Sequence, residues 1–279
     1  MKGKVLVLGA TGHIGQPLVA SLLATGATVK AASRAGLPVE GAESVAVDIT
    51  VPSTVEAALE GVDRAFVMLP GGHVRITDLL LPIIAAAAAR RIKVVLLSVL
   101  GVDAADSIPY RQVELALERS GTPFVILRPN WFADNFHTYW RAGIALGQIA
   151  LPAGDGRTSF IDVRDIAACA AAVLTTDAFD GQAFNLTGPE ALGYADAAEL
   201  ISDAIGRPVT YTSVDDDTFI GTLTGAGVPD EYARFLTSIF EPVRLGATAV
   251  VTSDVATLTG TAPRSLDAYV RDHAIILGA

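Results

Sequence analysis

The sequence predicts an α/β fold: a doubly wound, mostly parallel sheet with a smaller, mainly helical C-terminal lobe. Three observations carry that expectation. Short β-rich runs alternate with longer helical segments through the first half of the chain, the rhythm of a parallel sheet with crossover helices. The strand-like runs are continuously apolar, as in KVLVL and KVVLLS, which fits strands covered on both faces. A glycine-rich turn, Gly9-Ala10-Thr11-Gly12-His13-Ile14-Gly15, follows the first of these runs directly and opens a helical segment.

Taken in order, Lys4–Leu8 is the first strand, residues 14–24 a helix stopped at Gly26, and Thr28–Ser33 the second strand. Residues 44–47 make a third strand, 55–59 a helix and 64–69 a fourth strand. An alanine-rich helix over 77–91, a strand over 93–98, a helix over 110–120 and a strand over 124–127 continue the repeat. After Arg128-Pro129 the rhythm changes, with aromatics first and glycines later, up to residue 156. A strand at 160–163, a helix at 164–174 and a late strand at 183–186 return to the sheet pattern. The remainder reads as helical with one short strand at 209–212. These shifts predict a sheet domain of residues 1–129 plus 158–187, and a second lobe of 130–157 plus 188–279 interleaved with it.

Composition narrows the classes of function. A chain of 279 residues, 51% hydrophobic, buries a core without metals or disulfides. Its net charge of −10 argues against nucleic acid or a membrane surface as partner. The single cysteine, Cys169, lies in an apolar helical run, so the expectation is a buried thiol and no intrachain disulfide. The N-terminus runs straight into a strand, and the longest apolar run, 79–89, is too short to span a bilayer. A cytoplasmic monomer or homodimer with no bound metal is expected. Asp215-Asp216-Asp217 precede a helical stretch and read as a capping cluster rather than a metal site.

The turn at Gly9, Thr11, Gly12, His13, Ile14 and Gly15 has the setting of a Rossmann-type phosphate loop. Its glycines permit a tight turn, and helix N-termini attract anions through free N–H groups and the helix dipole. At the end of the second strand, NAD-preferring sites carry a carboxylate for the ribose diol. This chain has Ser33-Arg34 there. A hydroxyl and an arginine suit a 2′-phosphate, so NADP(H) is expected in preference to NAD(H). Asp48 and Ile49 close the third strand and are placed for the adenine edge.

With these residues in hand, the chain resembles the NmrA-like group of atypical short-chain dehydrogenases, which includes NAD(P)H-dependent quinone reductases, triphenylmethane reductases and redox-sensing regulators. The resemblance rests on LVLGATGHIG, VDIT, LERSGTPFVILRPNWFADN, FIDVRDIAACAAAVL, FNLTGPEAL and LTGTAPRSL, in that order along nearly the whole length. It implies phosphates at the glycine loop, a 2′-phosphate near Arg34, and a nicotinamide side formed by Leu69, Pro70, Ser98, Pro129, Asn130, Trp131 and Phe132.

The catalytic pattern departs from that of ordinary short-chain dehydrogenases. Those use a Tyr-x-x-x-Lys pair, in which the lysine lowers the tyrosine's pKa. The nearest match here is Tyr110-Arg111-Gln112-Val113-Glu114, with a glutamate at the lysine position. Tyr110, Glu114 and Ser98 are the candidate catalytic residues, and two functions remain open. One is hydride transfer to a small hydrophobic or conjugated acceptor that needs no strong proton donor, such as a quinone, an iminium or an enone. The other is a regulatory protein that senses NADP redox state without turnover.

Five of the chain's eighteen aromatic residues fall between positions 131 and 140. Their spacing puts most of them on one helical side. Trp131, Phe132, Asn135, Phe136 and Trp140 are the candidate substrate pocket, apolar walls with few polar groups; packing into the core is the competing reading.

Overall fold

The apolar runs form a seven-stranded, all-parallel sheet. Its strands are β1 (Lys4–Leu8), β2 (Thr28–Ser33), β3 (Glu43–Ala46), β4 (Arg64–Val67), β5 (Lys93–Leu97), β6 (Phe124–Pro129) and a last strand, Gln182–Leu186. The order is β3-β2-β1-β4-β5-β6 and then Gln182–Leu186. Strand β1 therefore pairs with β2 on one side (Val5 beside Val29) and with β4 on the other (Val5 beside Arg64). The direction of winding reverses between β1 and β4, and the crevice beyond the strand ends at such a reversal is where open α/β sheets take ligands.

The structure is a computed structural model describing residues 3–279. The chain divides into two units: Met1–Pro129, Val163–Leu186 and Asp254–Thr261 in the first, and Asn130–Asp162, Thr187–Ser253 and Ala262–Ala279 in the second. In the first unit, α1 (Gly15–Ala24), α2 (Pro52–Ala58), α3 (Ile76–Ala89) and α4 (Pro109–Arg119) cross between strands. Leu6, Leu8, Val67, Val94, Leu96 and Ile126 share one sheet face and pack with Leu80, Ile83, Ile84 and Leu117 of α3 and α4. The alternate residues Val5, Val7, Val95 and Val125 are equally buried and point the other way. On that side α1 packs against helix Val163–Leu174. Both faces are covered, which is why the strands are apolar throughout.

Cys169 sits fully buried on helix Val163–Leu174. Burial, with added repulsion from Asp165 and Asp254, pushes its thiol from 9.0 up to about 12. The raised value fixes a sign: the unfolded chain deprotonates first, so this group's contribution to stability is intact below 9.0 and is lost as pH rises towards 12. The native protein should leave a thiol reagent such as Ellman's unreacted near neutral pH, and unfolded chain should react at its one cysteine. Rapid native labelling would contradict the burial.

The second unit has its own core, in which Phe136, Phe160, Tyr194, Phe240, Val243 and Tyr269 are buried together. Helices Tyr194–Ile205, Asp216–Gly225, Asp230–Ser238 and Leu266–Asp272 surround it. Asp215 caps Asp216–Gly225 by accepting from the Thr218 N–H at 2.7 Å, as the acidic run predicted.

Three sequence expectations change. Residues 160–163 do not return to the large sheet; Ile161 forms a single bridge to Phe132. Residues 158–162 accordingly lie in the second unit, where Thr158 pairs with Leu192 and Asn130 donates to Ser159. Residues 254–261 lie in the first unit, because helix Asp254–Thr259 packs on Val163–Leu174 and Asp254 accepts from the Asn185 N–H at 2.7 Å. The short strand Thr210–Ser213 pairs in parallel with Gln148–Leu151, a strand whose glycine-flanked sequence gave no clear period.

Candidate functional site

The glycine loop is built where the fold needs it. Gly9 leaves β1 with φ +74°, in the left-handed region that glycine occupies without strain. Its carbonyl then accepts from the Gly12 N–H at 2.9 Å, closing the turn. Gly15 begins α1, and a Cβ there would stand 2.1 Å from the Gly9 carbonyl oxygen and 2.7 Å from the Ala10 Cα. Only a hydrogen atom fits. The loop is thus folded tightly onto the N-terminus of α1, and Gly12 and His13 are both exposed. This cradle suits a pyrophosphate: small residues allow close approach, and the helix end favours an anion.

Along the same edge of the sheet the predicted residues separate by exposure. Arg34, after β2, is exposed, whereas Ser33 is buried and its Oγ accepts from the Leu37 N–H at 3.3 Å. Asp48 lies beyond β3. Hydrogen bonds from Thr50 Oγ1 (2.7 Å) and N (2.9 Å) hold its carboxyl below the usual carboxylate range, and the charges of Arg34 and His73 add to the effect. That coupling brings Arg34, Asp48 and His73 into one electrostatic neighbourhood, in which His73 had no sequence signal. Ile49, Leu69 and Pro70 are each half-buried and offer apolar surface.

At the β5 and β6 ends the structure shows a charged cluster assembled from segments distant in sequence. Glu114 has no exposed surface. Its carboxylate accepts from Ser98 Oγ (2.6 Å) and Arg128 Nε (2.9 Å) on one oxygen, and from Arg128 Nη2 (2.8 Å) and Arg111 Nη1 (2.9 Å) on the other. Arg128 also reaches Asp103 at 2.6 Å, and Arg111 reaches Glu118 at 2.7 Å. Burial pulls the Arg128 pKa down, but the hydrogen bonds and charge of Glu114 outweigh it and leave the guanidinium above its ordinary value. Glu114 is therefore a saturated acceptor between two arginines, without a proton to give. A signal for the cluster existed: Arg128 ends the apolar strand FVIL, and an arginine carried into a sheet core needs a buried carboxylate. Tyr110, one turn before Glu114, packs against the α2–α4 side of the core.

Within the second unit, Asn130 is buried and fully engaged. Its amide donates to Ser159 Oγ (2.7 Å) and the Thr248 carbonyl (2.8 Å), and its oxygen accepts from the Trp131 N–H (2.9 Å). Residues 131–140 are not one helix: a 3₁₀ turn, Ala133–Asn135, and further turns lead into the short helix Arg141–Ala145. The aromatics still converge, Trp131 stacking with Trp140 at 5.9 Å and meeting Phe240 at 4.6 Å. Phe136 has no exposed surface and serves as core; Trp131, Phe132, Asn135 and Trp140 keep partial exposure. His137 pairs with the Tyr269 hydroxyl and stacks on His273. None of the helices among the described residues is long and apolar enough to cross a membrane.

Strand order, reversal point and glycine cradle together define a Rossmann-type, dinucleotide-binding class of fold. A family model described as the NmrA-like family matches residues 1–247, and the chain belongs to that family. It is 32% identical over 286 residues to an NAD(P)H azoreductase of Xenophilus azovorans, covering 99% of each chain. A quinone oxidoreductase of Escherichia coli solved with NADPH superposes with a TM-score of 0.85 at 23% identity, over 96% of this chain and 99% of that one. The triphenylmethane reductase of a Citrobacter species, solved with NADP(H), gives a TM-score of 0.81 at 23% identity, over 97% and 99%.

Proposed function

We propose that the protein is an NADPH-dependent reductase of a small hydrophobic or conjugated acceptor. The observation that carries this reading is the Gly9–Gly15 cradle at the reversal point of the sheet, where a side chain at Gly15 has no room. The match to an azoreductase across 99% of both chains supports it. Bound NADPH would supply the hydride. The glycine loop would hold its pyrophosphate, Arg34 its 2′-phosphate, and Leu69, Pro70 and Ser98 would flank the nicotinamide side. Trp131, Phe132, Asn135 and Trp140 would offer the acceptor a largely apolar face. With Glu114 unable to release a proton, the acceptor class is one that takes hydride at an already electrophilic centre.

The test is a fluorescence titration of NADPH and NADH, followed by NADPH oxidation with a panel of quinones, iminium ions and enones. NADPH should bind more tightly than NADH. Arg34→Ala should weaken NADPH about 10- to 100-fold and leave NADH nearly unchanged, since one charge-assisted phosphate contact is worth about 1.5–3 kcal/mol. Equal loss for both cofactors would remove Arg34 from the 2′-phosphate role. Tight NADPH binding with no turnover on any acceptor would instead favour the sensor reading, which the Glu114 substitution in the dyad position motivates.

A further inference from the structure

We infer that Glu114 fixes the direction of the Ser98 hydroxyl, so that Ser98 acts towards bound cofactor only as a hydrogen-bond acceptor. The inference deepens the proposed cofactor reading and rests on it. A serine hydroxyl has one proton and two lone pairs. The Glu114 oxygen 2.6 Å from Ser98 Oγ already accepts from Arg128 Nε, and the other oxygen takes two further guanidinium N–H groups. An ionised carboxylate so surrounded has nothing to donate, so the proton on that short contact belongs to Ser98. The Ser98 backbone N–H is also committed, donating to the Leu127 carbonyl at 2.8 Å. What Ser98 retains is acceptor capacity alone.

The position of the charge gives this its meaning. Glu114 occupies the place of the lysine in a Tyr-x-x-x-Lys helix. A lysine near the hydroxyl would donate to it and leave Ser98 a proton to give. The glutamate reverses that polarity, and Arg128 and Arg111 neutralise the carboxylate that does so. Glu114 is thus a positioning residue acting through Ser98. The group Ser98 selects must carry an N–H or O–H, and on the nicotinamide half of a dinucleotide these are the carboxamide N–H and the ribose hydroxyls.

The test measures dissociation constants of the intact protein for NADPH and for its reduced 3-acetylpyridine analogue, which lacks the amide N–H, together with kcat on a benzoquinone. In Ser98→Ala, Glu114 keeps its three arginine donors, so the fold should hold. NADPH affinity should fall about threefold to tenfold, the size of one hydrogen bond. If the carboxamide is the donor, the wild-type preference for NADPH over the analogue should vanish in Ser98→Ala. Equal losses for both in Ser98→Ala and in Glu114→Gln would assign the ribose hydroxyl, whereas equal losses in Ser98→Ala that Glu114→Gln does not reproduce would point to donation towards the carbonyl both cofactors share and overturn the acceptor role. Glu114→Gln should show the same affinity loss, because an amide N–H in that position no longer dictates the serine's proton. If that variant does not fold, the cofactor preference in Ser98→Ala decides alone. A large fall in kcat at unchanged affinity would make Ser98 a proton donor and overturn the inference, as would unchanged affinity and kcat. Failure of the wild-type protein to bind NADPH would instead overturn the cofactor reading, and this inference with it.

Discussion

Gly15→Ala is expected to weaken NADPH binding by about 100-fold or more while leaving a folded protein. The added methyl carbon would lie 2.1 Å from the Gly9 carbonyl oxygen and 2.7 Å from the Ala10 Cα, both backbone atoms that no rotamer change can clear. The loop must therefore move by about an ångström, and displacements of that order cost positioned groups roughly 100-fold. Overpacking adds about 1–3 kcal/mol of destabilisation, which for a chain of this size lowers Tm by several degrees. Gly26→Ala supplies the control. Gly26 has φ +78° but nothing within 4 Å of its added Cβ, so that change strains one residue by about 1–2 kcal/mol and does not touch the loop. Titration with NADPH should separate the two variants sharply. Wild-type affinity in Gly15→Ala would show that the cradle does not hold the cofactor.

Much of the fold was legible because its signals are local. Lys4–Leu8, Thr28–Ser33 and the alanine-rich helix announce themselves by uninterrupted apolar runs, and their alternation admits a parallel sheet and little else. The glycine loop was legible too, since its meaning depends only on the strand before it and the helix after it. What escaped depends on distant partners. Gln148–Leu151 is a strand only because Thr210–Ser213 lies beside it, and the helix at 254–259 joins the first unit through contacts with Val163–Leu174 and Asn185, distant along the chain. The aromatic segment is not the single helix its spacing suggests, because a spacing of three and four also arises from consecutive tight turns. Its convergence survived, since Trp131, Phe136 and Trp140 pack together either way. The Glu114 cluster needed three separate segments, Ser98, the helix carrying Arg111, and Arg128 at a strand end. The sequence placed a glutamate where a lysine was expected but could not say what neutralised it.

That cluster gives the second large effect, Glu114→Ala. The substitution removes a carboxylate with no exposed surface and strips Arg128 of two hydrogen bonds and Arg111 of one. Both arginines keep an outer acid, Asp103 and Glu118, but the inward N–H groups of Arg128 are left in the core. Losing one partner of a buried pair costs about 3–5 kcal/mol, a fall in Tm of about 10 °C for a chain of this size. The two-site variant Glu114→Met with Arg128→Met should recover at least half of that loss, because apolar side chains of similar volume avoid the cost of desolvating the charges. A double-mutant cycle read by thermal melting measures the coupling. The pH dependence follows from the sign of the Arg128 shift. A cation whose pKa is raised above the ordinary guanidinium value contributes stability that is complete below that value and is lost only above it. The deficit traced to Arg128 should therefore stay constant between about pH 7 and pH 10, and salt should screen it weakly, since the pair is buried. A loss under about 1 kcal/mol in Glu114→Ala, or one that disappears in high salt, would mean that the carboxylate is held no more firmly than a surface ion pair. The fixed direction of the Ser98 hydroxyl would then lose its physical basis.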